Sequence, residues 1–190
     1  MTPESIKQFT KVFSTLPSIG PRQATRLAFY LVNLGKGSLA EISNAVNGLK
    51  ELRRCPNCFF ICNVQCPICS DKNRRQDVVA IIEKETDLIS LEKTKKYNGI
   101  YLVLGELDKS GIFNPEQKMK LNYLKSKGSF AEIILAINPT TYGDLNASLI
   151  AQELRSCSKK ITRLGRGIPT GGEIEFADED TLGGALDNRN

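Results

Sequence analysis

Two cysteine pairs, Cys55-Pro56-Asn57-Cys58 and Cys66-Pro67-Ile68-Cys69, stand seven residues apart in a chain that contains no histidine. Two residues between cysteines let one tight turn aim both thiolates at a single point. Two such turns supply the four ligands of a closed tetrahedral Zn²⁺ site with metal–sulfur distances of about 2.3 Å. The residues around them must then fold as a small module organised by an ion. Disulfides, a redox dithiol and an unmetallated core are the competing readings. The polar segment 1–10 has no apolar stretch of the kind that directs a chain to an oxidising compartment, which favours a reduced, cytoplasmic setting. Cys62 lies between the pairs without a partner at the same spacing, so Cys55, Cys58, Cys66 and Cys69 are the expected ligands. Cys157 reads as a small buried apolar residue at a helix end. A site with four thiolates has no open position, so this ion would hold the fold and activate no water.

Charge divides the chain more sharply than its net +5 indicates. Residues 1–75 carry 11 Lys or Arg against 4 Asp or Glu, and residues 76–190 carry 15 against 17. A basic N-terminal part points to a polyanionic partner, with a merely solvated basic surface as the alternative. No apolar run reaches membrane-spanning length, so no membrane association is expected.

Apolar residues recur at helical spacing on both sides of Pro17-Ser18-Ile19-Gly20-Pro21, predicting two helices joined by a tight turn, with Pro21 in the first turn of the second. A third helix is expected over about 39–51, capped by Ser38, with Leu39, Ile42, Ala45, Val46 and Leu49 turned inward. A polar linker is expected over 71–76. From Asp77 onward strands and helices alternate, the mark of a mostly parallel sheet with helical crossovers. Strands are expected at 78–82, 100–104, 132–137, 160–164 and 173–176. Helices are expected at 87–97 capped by Thr86, 115–127, 144–156 and 180–186. The fold class is therefore a multi-module α/β protein. Its expected parts are a helix-hairpin-helix region over 1–53, a four-cysteine zinc module and linker over 54–76, an α/β domain over 77–164 and a C-terminal tail over 165–190.

Three further constellations bear on function. The turn 16–22 resembles the hairpin of a helix-hairpin-helix DNA-binding motif. In such a turn Gly20 and the following helix N-terminus present N–H groups to a phosphate, and Arg22 and Arg26 add charge one helical turn apart. Binding of this kind is sequence-independent and salt-sensitive, although an ordinary helical hairpin with two solvated arginines has the same pattern. Ser18 occupies the place where the motif usually has its first glycine; if φ is positive there, serine is strained. Glu83 after the first strand and Asp144 after the third, with Glu85 and Asp87 nearby, stand at the carboxyl edge of the sheet, where a Mg²⁺ site would be built. This arrangement resembles a Toprim domain. The first acid of the usual Asp-x-Asp pair is here Tyr142, which weakens any divalent-ion site and argues against catalysis. The glycine-rich loop 165–172 lacks the ending of a phosphate-binding loop and reads as a connection and docking surface.

The order of hairpin, four-cysteine module, Toprim-like domain and the tail Gly-Ile-Pro-Thr-Gly-Gly-Glu-Ile-Glu-Phe-Ala-Asp at 167–178 resembles the RecR family of bacterial recombination mediators over essentially the whole chain. The resemblance implies a non-enzymatic, ring-forming homo-oligomer, commonly tetrameric, that clamps DNA. It also implies work with RecO and RecF in loading RecA onto gapped DNA. By the same resemblance Arg22 and Arg26 would contact DNA, Glu83 and Asp144 would serve partner binding, and the Walker-B-like tail would help subunits associate. The segment 104–109 and Tyr142 depart from the family pattern. A Mg²⁺-dependent Toprim enzyme and an adaptor that never touches DNA are the rival readings.

Overall fold

The computed structural model describes residues 2–189. Two compact units divide the chain, Met1–Leu52 and Arg53–Asn190. In the first, α1 (Glu4–Phe13) and α2 (Pro21–Asn33) form an antiparallel pair, followed by α3 (Lys36–Gly48) and a short 3₁₀ turn, Leu49–Glu51. Its core is small: Ile6 of α1 and Ala24, Ala28 and Leu31 of α2. The alanines recur every fourth residue and so form a flat stripe on α2, which lets the helices approach closely. Pro21 opens α2 as expected.

The second unit begins with a two-residue hairpin, β1 (Arg53–Arg54) against β2 (Ile61–Cys62), inside the cysteine module. A four-stranded parallel sheet follows, built from β3 (Arg75–Ile82), β4 (Gly99–Val103), β5 (Glu132–Ala136) and β6 (Ile161–Arg163) in the order β4-β3-β5-β6. The helices α4 (Glu85–Lys93), α5 (Pro115–Ser126), α6 (Thr141–Leu154) and α7 (Glu179–Asp187) complete it. Among the described residues no helix is long and apolar enough to cross a membrane. Strand β3 explains the two-sided core. Its five residues Val78–Ile82 are uninterruptedly apolar because both faces of a parallel sheet are covered. Val79 and Ile81 join Leu102, Ile133, Leu135, Leu121 and Ile150 on one side. Ala80 and Ile82 join Leu88, Tyr101, Val103 and the cysteines on the other. The cysteine module thus serves as part of one covering layer.

Several expectations are corrected. Helix α3 starts at Lys36 because Gly35, at φ +88°, makes the turn that Ser38 was expected to cap. None of its residues is buried, and Val46 and Leu49 are more than half exposed, so the apolar stripe read as an inward face lies on the surface. The stretch 71–76 is not a linker. Arg74 is largely buried, with Nη1 donating to Glu92 Oε1 and Gly99 O at 3.0 Å each, and β3 already begins at Arg75. Helix α4 begins at Glu85, where Asp87 Oδ2 accepts from the Lys84 N–H at 2.8 Å, and it ends at Lys93 before Lys95 turns to φ +55°. Helix α6 starts three residues before Asp144, capped by the Thr140 hydroxyl. The expected strand 173–176 is a 3₁₀ turn, Ile174–Phe176, whose alternating apolar residues point to solvent with no strand to pair.

Candidate functional site

The cysteine module gathers four sulfurs. The Sγ atoms of Cys55, Cys58, Cys66 and Cys69 lie within 4.8 Å of one another, with Cys55–Cys69 at 3.7 Å and Cys58–Cys66 at 3.5 Å. Four sulfurs about 2.3 Å from a central ion would be separated by about 3.8 Å, so the geometry fits a tetrahedral thiolate site. The local fold supplies the convergence. The Phe59 N–H donates to Cys55 O at 3.0 Å and the Ser70 N–H to Cys66 O at 3.1 Å, which closes one turn over each Cys-Pro-x-Cys segment. Cys62 is buried beside the cluster and lies outside it. A hydrogen bond to Cys69, together with burial, pushes the Cys58 thiol up, and burial pushes Cys66 up to about 11. A bound cation would be needed to hold all four as thiolates in this volume. Cys157 packs in the core of the sheet domain, as the sequence indicates.

The module is docked on the sheet through residues that no spacing rule singles out. The Val103 N–H donates to Cys58 O at 2.8 Å, and the Tyr123 hydroxyl donates to Asn57 Oδ1 at 2.7 Å. Phe59, at φ +63°, meets Tyr123 edge-on with centroids 5.6 Å apart and lies under the buried Lys120 ammonium, 5.2 Å away. Lys120 Nζ also donates to Leu104 O at 3.2 Å and pairs with Glu116 at 2.8 Å, so its buried charge is satisfied. A lysine in an amphipathic helix pattern reads as solvated, which is why the sequence conceals this one.

In the helical unit Ser18 takes φ +63°, the conformation that makes serine costly at that place. The Ile19 N–H donates to Leu16 O at 3.2 Å and the Gly20 N–H to Gln23 Oε1 at 3.2 Å, which closes the hairpin at the start of α2. Arg22 and Arg26 are exposed on that helix, which carries no acidic residue.

At the carboxyl edge of the sheet, Glu83 Oε1 accepts from the Asn138 backbone N–H and side-chain amide at 3.3 Å each. Asp144 accepts from Arg163 Nη1 at 2.6 Å and Arg166 Nη2 at 2.5 Å, and these two guanidinium groups, Arg166 first, hold its carboxyl below the usual carboxylate range. Gly143 is required here, because a Cβ would stand 1.9 Å from Asn138 O. Tyr142 is exposed, with Lys109 Nζ 5.4 Å from its ring centre. Among the described residues the cysteines are the only group of three or more potential ligands that close together; the acidic residues do not gather. The loop 165–172 turns back through the Gly172 N–H on Pro169 O at 2.8 Å and leads into the 3₁₀ turn.

A parallel sheet carrying acidic groups at its carboxyl edge, faced by a four-cysteine module, defines a protein of the Toprim class, and the Toprim-domain family model matches residues 77–165. The model for the RecR C-terminal region matches residues 167–190. Curated proteins named recombination protein RecR are similar throughout: 37% identical over 195 residues in Bifidobacterium adolescentis, covering 97% of this chain and 95% of the relative. A Thermus thermophilus protein of that name is 37% identical (98% and 97% covered), and one from Clostridium perfringens 36% (98% and 96%). The chain belongs to the RecR family of recombination proteins.

Proposed function

We propose that this chain is a non-enzymatic, cytoplasmic DNA clamp and mediator in recombinational repair, acting with RecO and RecF to load RecA onto gapped DNA from a ring-shaped, tetrameric assembly. The observation that carries the DNA-binding part is the hairpin. Arg22 and Arg26 project from α2 in an acid-free helix, just after a turn held in an unfavourable serine conformation. Pro21 has no N–H and the Ala24 N–H donates to Gly20 O, so the N–H groups of Arg22 and Gln23 are the free first-turn donors of α2, and the two guanidinium groups on the same helix complete a surface suited to a phosphodiester. Such contacts read the backbone and leave the bases unread, which a mediator acting at arbitrary gaps requires.

The metal is proposed to be one zinc ion per chain, held by Cys55, Cys58, Cys66 and Cys69. A bound Zn²⁺ would supply structural crosslinking, and the four sulfurs leave it no open position for chemistry. Glu83 and Asp144 are proposed to face a basic surface of the partner RecO. The Toprim-enzyme reading is disfavoured by Tyr142 and by the two arginines that already occupy Asp144.

The test is equilibrium DNA binding over a salt series. Wild-type affinity should fall steeply with salt, and an Arg22→Ala/Arg26→Ala variant should bind more weakly with the log–log slope reduced by about 2. Equal affinities and a flat salt dependence would overturn the reading.

A further inference from the structure

Around Asp144 the chain supplies its own cations. Both guanidinium groups land on the same oxygen, Oδ1, one from Arg163 at the end of β6 and one from Arg166 three residues later. Arg166 is in turn built into the tail. Gly184 of α7 lies so close that an added Cβ would stand 2.7 Å from Arg166 Cβ. The Asn188 side-chain amide donates to Arg166 O at 3.4 Å and to Gly184 O at 2.7 Å. The contacts therefore run without a gap from the first turn of α6, through Asp144 and Arg166, to α7.

No residue of α7 is buried. A crevice of about 680 Å³, lined by Asn138, Thr140, Gly165, Asp178 and Thr181 among others, separates the sheet edge from the tail. Apolar burial normally fixes a helix on a sheet. Here Leu182 and Ala185 are only half-buried, so that contribution is small and the polar link adds to it. An isolated surface ion pair contributes little. Here two charge-assisted hydrogen bonds converge on one carboxylate oxygen, and the Arg166 backbone and Cβ pack against Gly184.

We propose that Asp144 is a positioning residue that clamps α7 to the carboxyl edge of the sheet through Arg166, with Arg163 as the second jaw. The acid that a Toprim enzyme would use on a metal ion is here committed to the chain's own tail. A divalent cation or a basic partner group that takes Asp144 must displace the clamp.

Amide hydrogen exchange on the full-length protein at fixed concentration tests it, with Asp144→Asn, Arg166→Gln and Gly184→Ala variants beside the wild type. In all three, amides of 179–187 should exchange at least threefold faster while those of β3, β4 and β5 keep their wild-type rates. The Gly184→Ala arm is discriminating, because alanine favours the helix itself and only lost docking can speed its exchange. Unchanged tail exchange in Asp144→Asn and Arg166→Gln would overturn the clamp. So would acceleration spread evenly through the sheet, which would make Asp144 a general stability residue.

Discussion

Cys69 and Cys62 separate the two ways in which a cysteine is kept in this chain. Cys69 is the least buried of the four converging cysteines, whereas Cys62 is buried and stands outside the cluster. Cys69→Ser should therefore lower the zinc content of the purified protein and unfold the module. Cys62→Ser should keep one zinc per chain and cost roughly 1–3 kcal/mol through an underpaired buried hydroxyl. Metal analysis with thermal denaturation checks both, and a Cys69→Ser protein that retained zinc and fold would show that the ligand set is wrong. The pair spacing made the cysteines legible in the sequence, since ligand geometry is encoded within four residues. Arg163 and Arg166 were not legible as partners of Asp144. Their contact joins residues 19 and 22 positions apart across a loop, and no local period records it.

At the level of elements, the joint between the cysteine module and α5 carries the sharpest prediction. Lys120→Met removes an ammonium that meets Leu104 O, Glu116 and the Phe59 ring, and fills the same space with an apolar chain. Because Glu116 is largely solvated, no uncompensated buried charge remains. The expected cost is about 1–3 kcal/mol, or a melting temperature lower by roughly 2–12 °C. Zinc should also pass to a chelator faster than in the wild type, as the turn carrying Cys58 loosens; an unchanged release rate would mean that the module holds its ion independently of the sheet. The parallel strands were readable because runs such as Val78–Ile82 are apolar on both faces. The segment 173–176 misled because alternation predicts a strand only where a neighbour exists to bond it. Helix α3 misled because a helical apolar stripe specifies a face but not what covers it.

For the whole molecule, the exposed apolar side chains of the helical unit are the main argument for assembly. Phe29, Tyr30 and Val32 of α2 and Val46 and Leu49 beyond it expose between 47% and 63% of their surfaces. Contiguous apolar surface marks interaction regions, and a partner subunit covering these side chains would bury them. If the chain forms the proposed ring, its mass in solution should be a multiple of 21.0 kDa, four-fold for a tetramer, with and without DNA. Light scattering that found a monomer at micromolar concentration would sink the clamp. The sequence indicated the modules and their order; it held no information on how many copies share them, because that depends on surfaces rather than on internal periodicity. The polar fastening of α7 has a consequence for any such measurement. Electrolyte screens exposed ion pairs as it screens phosphate contacts, so raising salt acts on the tail and on the DNA-facing arginines in the same titration. Tail mobility and DNA release would then rise together without any physical communication between the two ends of the chain, and a correlation between them would not by itself be allostery.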